Sequence, residues 1–323
     1  MHKLASQSPR ETAPSGLLVV DKPLEWTSHD VVARTRRLAG TKKVGHAGTL
    51  DPQASGVLVM GVGAATRFLT YLVGLDKQYE TVIRLGAATS TDDAAGEVLS
   101  TAEPAALLGL SDEMIAGAVG QLTGNIMQVP SAVSAIKIDG VRAYARARAG
   151  EDVDLPARPV TVSSFVVSKV ERGTEFIDVS AVIDCSSGTY IRALGRDLGA
   201  ALGVGGHLAQ LRRTRVGQFG LDASHDFSAL VTAQESGELT PKILPVIPLG
   251  EAARQTMPWF TADADQELAL RRGQQIDRSI ATITGDDNFA QAAALNQAGE
   301  LIAVVAPGKR SDALRPVTGF PAL

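Results

Sequence analysis

The stretch Val44-Gly45-His46-Ala47-Gly48-Thr49-Leu50-Asp51-Pro52 sets one imidazole and one carboxyl among small residues, directly before the apolar run Gly56-Val57-Leu58-Val59-Met60-Gly61. The apolar run reads as a buried strand, so the loop before it is held against a core. Gly45 and Gly48 permit backbone angles that a side chain forbids, and Pro52 fixes the chain just after the acid. A short polar loop held this way presents a carboxylate rather than hiding it. A glycine-rich connection with a solvated Asp fits the spacing equally well.

At 323 residues the chain has room for about two domains. Aromatics make up only 4% of the residues, so the cores are built from Val, Leu, Ile and Ala. No run approaches the roughly 18–20 apolar residues of a membrane span. Residues 1–15 are polar, contain Pro9 and Pro14 and lack the apolar centre of a signal peptide, so they read as a disordered tail. The single cysteine, Cys185, excludes an internal disulfide framework and a Cys-rich metal site. Together these features favour the cytoplasm.

The net charge of -4 argues against wholesale polyanion binding, but the charges are uneven. Arg34, Arg36, Arg37, Lys42 and Lys43 follow one another without an acid; Arg192, Arg196, Arg212, Arg213 and Arg215 have only Asp197 among them. Acids collect at Asp92, Asp93, Glu97, Asp112 and Glu113 and again at Asp263, Asp265 and Glu267. A mildly acidic protein with local basic runs can bind nucleic acid through one face. A single such run is equally well a solvated helix face.

In chain order, residues 16–23 form a buried strand ending at Pro23. Thr27-Ser28-His29-Asp30 offers an N-cap, Val31, Val32, Thr35 and Leu38 recur at helical spacing, and Gly40 stops the helix. Residues 64–73 read as a helix, 77–85 as a strand with Tyr79, Thr81, Ile83 and Leu85 on one face, 87–96 as a polar loop, and 111–122 as a helix capped by Ser111. An Arg-rich insertion at about 130–152 follows. Strands at 159–170 and 175–183, a helix at 190–202 and an extended stretch at 207–219 come next. Proline and glycine thicken at 241–250, which places a domain boundary there. Beyond it lie a helix at 263–272, strands at 279–284, 289–296 and 300–305, and a hairpin turn at Gln297-Ala298-Gly299.

There is no phosphate loop, dinucleotide fingerprint, HExxH or nucleophile elbow, and the five histidines are dispersed. A carboxylate loop, arginine-rich elements and tyrosines remain, a set that suits a cofactor-free reaction on a polyanion. Lys22-Pro23, Gly45-His46-Ala47-Gly48-Thr49-Leu50-Asp51-Pro52, Tyr79, Cys185-Ser186-Ser187-Gly188-Thr189-Tyr190-Ile191-Arg192 and Leu211-Arg212-Arg213 occur in that order. As an ordered set they resemble the TruB family, bacterial tRNA pseudouridine-55 synthases, closely over about 16–217. The last part resembles, more loosely, the PUA-like tail of the family's actinobacterial form.

The resemblance implies an α/β (α+β) fold: a catalytic domain over 16–249 on a mixed, largely antiparallel central sheet, and a small β-rich PUA-like RNA-binding domain over 250–323. It implies that Asp51 is the catalytic aspartate, attacking the target uridine at C1′ or C6. Arg192 is then the cation that favours the ionised carboxylate and holds it through parallel hydrogen bonds, and Tyr79 stacks on the flipped base. His46 fills the space the extruded nucleotide leaves. Leu211 lines the uracil pocket, Lys22 and Pro23 support its floor, and Tyr190 belongs with these substrate-side residues. Lys137 and Arg146, in a thumb-like insertion, and Arg212 and Arg213 contact the RNA. The implied partner is the T stem-loop of tRNA, met by a monomer with no metal, no cofactor and no membrane association. Two other readings compete: a non-catalytic RNA-binding or RNA-folding module, and a glycosidase, which needs a second carboxylate near Asp51 that the local sequence lacks.

Overall fold

The computed structural model describes residues 11–131, 137–138, 141–142, 155–286, 288–308 and 312–322. Contacts divide these into two compact units. One holds the described parts of Met1–Asp51, Val57–Val73 and Gly217–Leu323, the other those of Pro52–Gly56 and Gly74–Val216. Among the described residues no helix is long and apolar enough to cross a membrane.

In the first unit the strand Gly16–Lys22 lies beside Ala54–Val62, runs parallel to His225–Asp226 and antiparallel to Ile247–Pro248. Leu17, Leu18, Val19 and Val20 are all buried, which explains why the strand is a continuous apolar run and not an alternating one. Val44–His46 pairs antiparallel with the far half of Ala54–Val62, His46 opposite Met60. The helix Ser28–Leu38 starts and stops as its sequence signals predict. Thr27 and Asp30 form a reciprocal cap, and Val31, Val32, Thr35 and Leu38 are buried. The segment expected as a helix over 64–73 is instead a 3-10 run, Gly63–Tyr71. The Thr66 hydroxyl donates to the Gly63 carbonyl (2.9 Å) and Ser15 Oγ accepts from Ala64 N (3.0 Å), so side chains take up first-turn backbone groups. Residues 11–15, expected within the disordered tail, are tied down: Ala13 N donates to Ala39 O at 2.9 Å and Glu11 pairs with Lys242 at 2.7 Å. Residues 1–10 lie outside the described residues.

The C-terminal part of this unit is a five-stranded sheet in the order Trp259–Thr261, Ala292–Leu295, Leu301–Pro307, Ala313–Gly319, Ile276–Asp277. Its core gathers Phe260, Leu270, Ile276, Ile302 and Leu314. The expected hairpin at Gln297-Ala298-Gly299 forms, joining antiparallel strands. The expected strand over 279–284 does not. The Asp277 carboxylate accepts from Ser279 N (2.8 Å) and turns the chain into a 3-10 segment, Arg278–Ile280, leaving a single bridge from Thr284 to Trp259. Tyr71 and Thr318 share a hydroxyl hydrogen bond (2.5 Å), and Arg67 donates to Gly319 O (3.1 Å). These contacts keep the tail sheet in one unit with the N-terminal strands although it has its own core.

The second unit is a mixed, largely antiparallel sheet. Ala54–Gly56, the first residues of their strand, pair parallel with Leu211–Arg213 of the strand Gly206–Val216. That strand pairs antiparallel with Lys77–Leu85, followed by Ile177–Cys185, Arg158–Arg172 and Gly124–Gln128, each antiparallel to the last. Along Lys77–Leu85, Tyr79, Thr81, Ile83 and Leu85 are buried, as the alternation predicts. The helix Ile191–Ala201 packs on the sheet, with Gly195 within reach of Leu208.

Candidate active site

The loop between Val44–His46 and Ala54–Val62 belongs, up to Asp51, to the first unit. Ala47 N donates to Val59 O at 2.9 Å, and Gly48 takes φ +107°, the conformation that demands glycine. Gly45 has a different reason from the one expected. It lies in the strand without a positive φ, and a Cβ there would meet Leu69 Cδ1 at 3.1 Å, so packing excludes the side chain. Ser28, only 1% exposed, reaches the loop from the start of its helix. Its Oγ donates to the Leu50 carbonyl (3.0 Å) and accepts from the Leu50 N–H (2.8 Å). Half-buried Asp51 follows.

Lys22 is fully buried, and its ammonium donates to the carbonyls of Pro23 (2.8 Å) and Trp26 (2.7 Å), gripping the turn that carries Glu25 at φ +67°. It is a strand-end lysine that shapes the turn entering the helix. Half-buried His46 meets the exposed ring of His29 edge to face, centroids 6.1 Å apart.

In the second unit Tyr79 is buried in the middle of its sheet, in register with Ile183 and Arg213. Arg192, 6% exposed, donates to Thr91 O at 2.9 Å and lies 3.6 Å from the Asp93 carboxylate. Asp93 in turn accepts from Thr91 Oγ1 (2.5 Å) and Ala95 N (3.1 Å). Next to it Arg196 pairs with Asp92 (3.2 Å) and Asp197 (2.8 Å) and donates to Val129 O (2.8 Å). The polar loop expected at 87–96 is therefore the tip of a hairpin, Ala87–Thr89 with Val98–Thr101, folded onto two arginines of the helix. The partnership of Thr91, Asp92 and Asp93 with these arginines is what sequence reasoning missed; the acid cluster and the polar run from Thr89 to Asp93 were the local signal. Tyr190, just before that helix, is fixed through its backbone: its N–H donates to Gln128 Oε1 (2.8 Å) and its carbonyl accepts from Gln128 Nε2 (3.0 Å). Half-buried Leu211 is in register with Ala54 and Thr81, and Arg212 donates to Ser55 Oγ at 3.2 Å.

The two basic runs differ. In the first, Arg34 is tied to Glu235, but Arg36, Arg37, Lys42 and Lys43 are exposed on the approach to the loop. The second is largely engaged within the protein. Arg192 and Arg213 are buried, Arg196 is paired, and Arg215 bridges Asp76 and Asp184 at 2.7 Å each. Arg213, at 1% exposure, has no surface to offer a phosphate. Its charge, added to burial, pushes the neighbouring Lys77 ammonium down to about 8, while burial pushes the Cys185 thiol up to about 11. Lys137 lies in a two-residue strand paired with Val141–Arg142, and Arg146 lies outside the described residues.

Asp51 and His46 thus stand in one unit, Tyr79 and Arg192 in the other, and the pairing of Asp51 with Arg192 stands as a proposal. The fold itself is that of pseudouridine synthases. It matches the "Crystal Structure of a Cbf5-Nop10-Gar1 Complex" with a TM-score of 0.71 at 25% identity, over 94% of this chain and 84% of that one. It also matches the "Structure of H/ACA RNP bound to a substrate RNA containing 2'-deoxyuridine", again at 0.71, over 99% and 93%. Residues 36–191 match the family model "TruB family pseudouridylate synthase (N terminal domain)", and 192–247 match "tRNA pseudouridylate synthase B C-terminal domain". A tRNA pseudouridine synthase B of Leifsonia xyli subsp. xyli is 55% identical over 81% of this chain and 83% of its own length. One from Arthrobacter sp. is 52% identical over 90% and 92%. The chain belongs to the TruB family of pseudouridylate synthases and is an isomerase.

Proposed function

We propose that the chain isomerises uridine-55 in the T loop of tRNA to pseudouridine. The likeness to proteins named tRNA pseudouridine synthase B, at 55% identity over 81% of the chain, carries this reading, and the anchored loop ending at Asp51 supports it. Asp51 is the nucleophile, at C1′ or C6. The bond that Asp51 makes to the nucleotide is transient: the C1′–N1 bond breaks, the held base turns, a C1′–C5 bond forms, Asp51 is released, C5 loses its proton and N1 regains one. Nothing is gained or lost overall, so the reaction needs no redox partner or energy donor. Tyr79 stacks on the flipped base. Arg192, its guanidinium pre-set by Thr91 and Asp93, is the cation that pairs with the carboxylate. Leu211 and Tyr190 line the base's surroundings, and Lys22 and Pro23 support the floor of the active site.

His46 fills the gap left by the extruded nucleotide, at a cost of a few kcal/mol for unstacking. Its edge-to-face partner His29 stiffens it. The exposed Arg36, Arg37, Lys42 and Lys43 hold phosphates, with Arg212 and, from the thumb-like insertion at about 130–152, Lys137 and Arg146. Residues 16–249 form the catalytic domain, residues 250–323 are a PUA-like RNA-binding domain, and the enzyme works as a cytoplasmic monomer. The test is nucleotide-resolution mapping of pseudouridine in unmodified tRNA incubated with pure protein. Modification is expected at the T-loop uridine, and Asp51→Asn is expected to abolish it while tRNA affinity stays within about tenfold. Turnover by a clean Asp51→Asn preparation, or an unmodified T loop with the parent protein, sinks the reading.

A further inference from the structure

One hydroxyl governs both backbone groups of the residue before the nucleophile. Ser28 Oγ accepts from Leu50 N–H and donates to Leu50 C=O. Each group belongs to a different peptide plane: the N–H to the plane shared with Thr49, the C=O to the plane shared with Asp51. A carbonyl fixed at 3.0 Å therefore fixes the amide of Asp51 as well, and with it the Cα from which the carboxylate projects. Ser28 and Leu50 are both buried, so water offers neither group a substitute partner.

Ser28 is itself held. It opens the helix Ser28–Leu38, whose first turn is closed by Thr27 and Asp30, and the turn before it is gripped by the buried Lys22 ammonium at the Trp26 carbonyl. An unbroken chain of short contacts thus runs from Lys22 through Trp26 and Ser28 to Leu50, ending one bond before Asp51. Ser28 Oγ is the link in it that bonds both backbone groups of one residue, Leu50.

We propose that Ser28 is a positioning residue for the isomerisation, orienting Asp51 through the Leu50 backbone. The proposal rests on the assignment of Asp51 as nucleophile. Reactions of this type are sensitive to displacements of about 1 Å, which can cost about 100-fold in rate. The test compares the parent with Ser28→Ala, Ser28→Cys and Ser28→Thr, measuring single-turnover rate on tRNA, tRNA affinity and thermal midpoint. Ser28→Ala is expected to slow the single turnover about 10- to 100-fold with affinity changed less than about threefold. Ser28→Cys keeps the shape without a strong hydrogen bond and is expected to slow it nearly as much. Ser28→Thr keeps the hydroxyl and is expected to recover most of the rate. A purely structural serine would lower the thermal midpoint in all three variants without this order of rates.

Single-turnover rates within threefold of the parent in both Ser28→Ala and Ser28→Cys overturn the proposal. If Ser28→Ala does not fold, the near-isosteric Ser28→Cys decides alone by the same criterion. Asp51→Asn is run in parallel. If it turns over, the nucleophile assignment itself has failed; if it is dead while Ser28→Cys is fully active, only the role of Ser28 has failed.

Discussion

Replacing Gly56 by alanine is expected to be among the most damaging single-methyl changes in the chain. Gly56 lies five residues after Asp51, at φ +103°, opposite Arg213 in the parallel pairing. A Cβ built there falls 2.1 Å from the Arg213 carbonyl oxygen and 2.8 Å from its nitrogen, against ordinary contact from 3.4 Å. The nearest obstacle is backbone, so no side chain can swing away, and the two strands must part by more than 1 Å. A hydrogen bond of ordinary length stretched by that much is lost, and each buried group left without a partner costs about 1–3 kcal/mol. The left-handed backbone conformation adds about 1–2 kcal/mol for a residue with a side chain. With both groups of one lost bond counted the total is about 3–8 kcal/mol, a large fraction of the roughly 5–15 kcal/mol that holds a domain together. Urea titration of parent and variant, followed by circular dichroism, reads this as a lower midpoint at constant slope. Gly74→Ala is the control: nothing lies within 4 Å of its Cβ, so it should be neutral or slightly stabilising. A loss under about 1 kcal/mol for Gly56→Ala would refute the steric reasoning.

Alkaline pH reports on Lys77 and Cys185. Between pH 8 and 10.5 the unfolded chain holds a Lys77 proton that the folded chain has released, so this lysine makes stability rise with pH. Between 9 and 11 the folded thiol of Cys185 keeps a proton that the unfolded thiol loses, which lowers stability as pH rises. The rise is therefore cleanest from pH 8 to 9, and Lys77→Met should flatten it while adding about 1–3 kcal/mol below pH 8. Parallel stability profiles for the two proteins would exclude this. Asp93→Ala removes the carboxylate beside Arg192 and the acceptor for Ala95 N, and should cost about 1–3 kcal/mol and slow turnover at least about tenfold. Asp93→Asn, which can still accept from Ala95 N, should be milder, and equal, full activity in both would remove Asp93 from the site.

What was legible in the sequence was what neighbours in the chain decide. Thr27 and Asp30 are three residues apart and cap a helix whose buried side recurs at Val31, Val32, Thr35 and Leu38. The alternation from Tyr79 to Leu85 marks a strand with one buried face. The motif residues around Asp51 and Arg192 were legible as a family pattern, but what holds them was not. Arg192 is set by Thr91 and Asp93, about a hundred positions away, and Leu50 by Ser28, 22 positions away. The internal pairing of the second basic run was hidden for the same reason. Arg215 is neutralised by Asp76 and Asp184, which no local window contains. In the tail, Ala313–Gly319 was missed because Pro316 argues against a strand and few of its side chains are buried. The helix Phe227–Glu235 was missed because only Phe227 is buried.

The parallel pairing of Ala54–Gly56 with Leu211–Arg213 has a consequence for the order of events during synthesis. The residues just after Asp51 are made early, but the strand that seats them arrives about 157 positions later, the separation of Ser55 from Arg212. At about 5–20 residues per second that delay is on the order of ten seconds or more at the ribosome. Throughout that interval the emerging chain carries Ala54–Gly56 without their parallel partner. A nascent chain halted before Leu211 therefore holds Ala54–Gly56 without the strand they pair with, and that pairing arrives late.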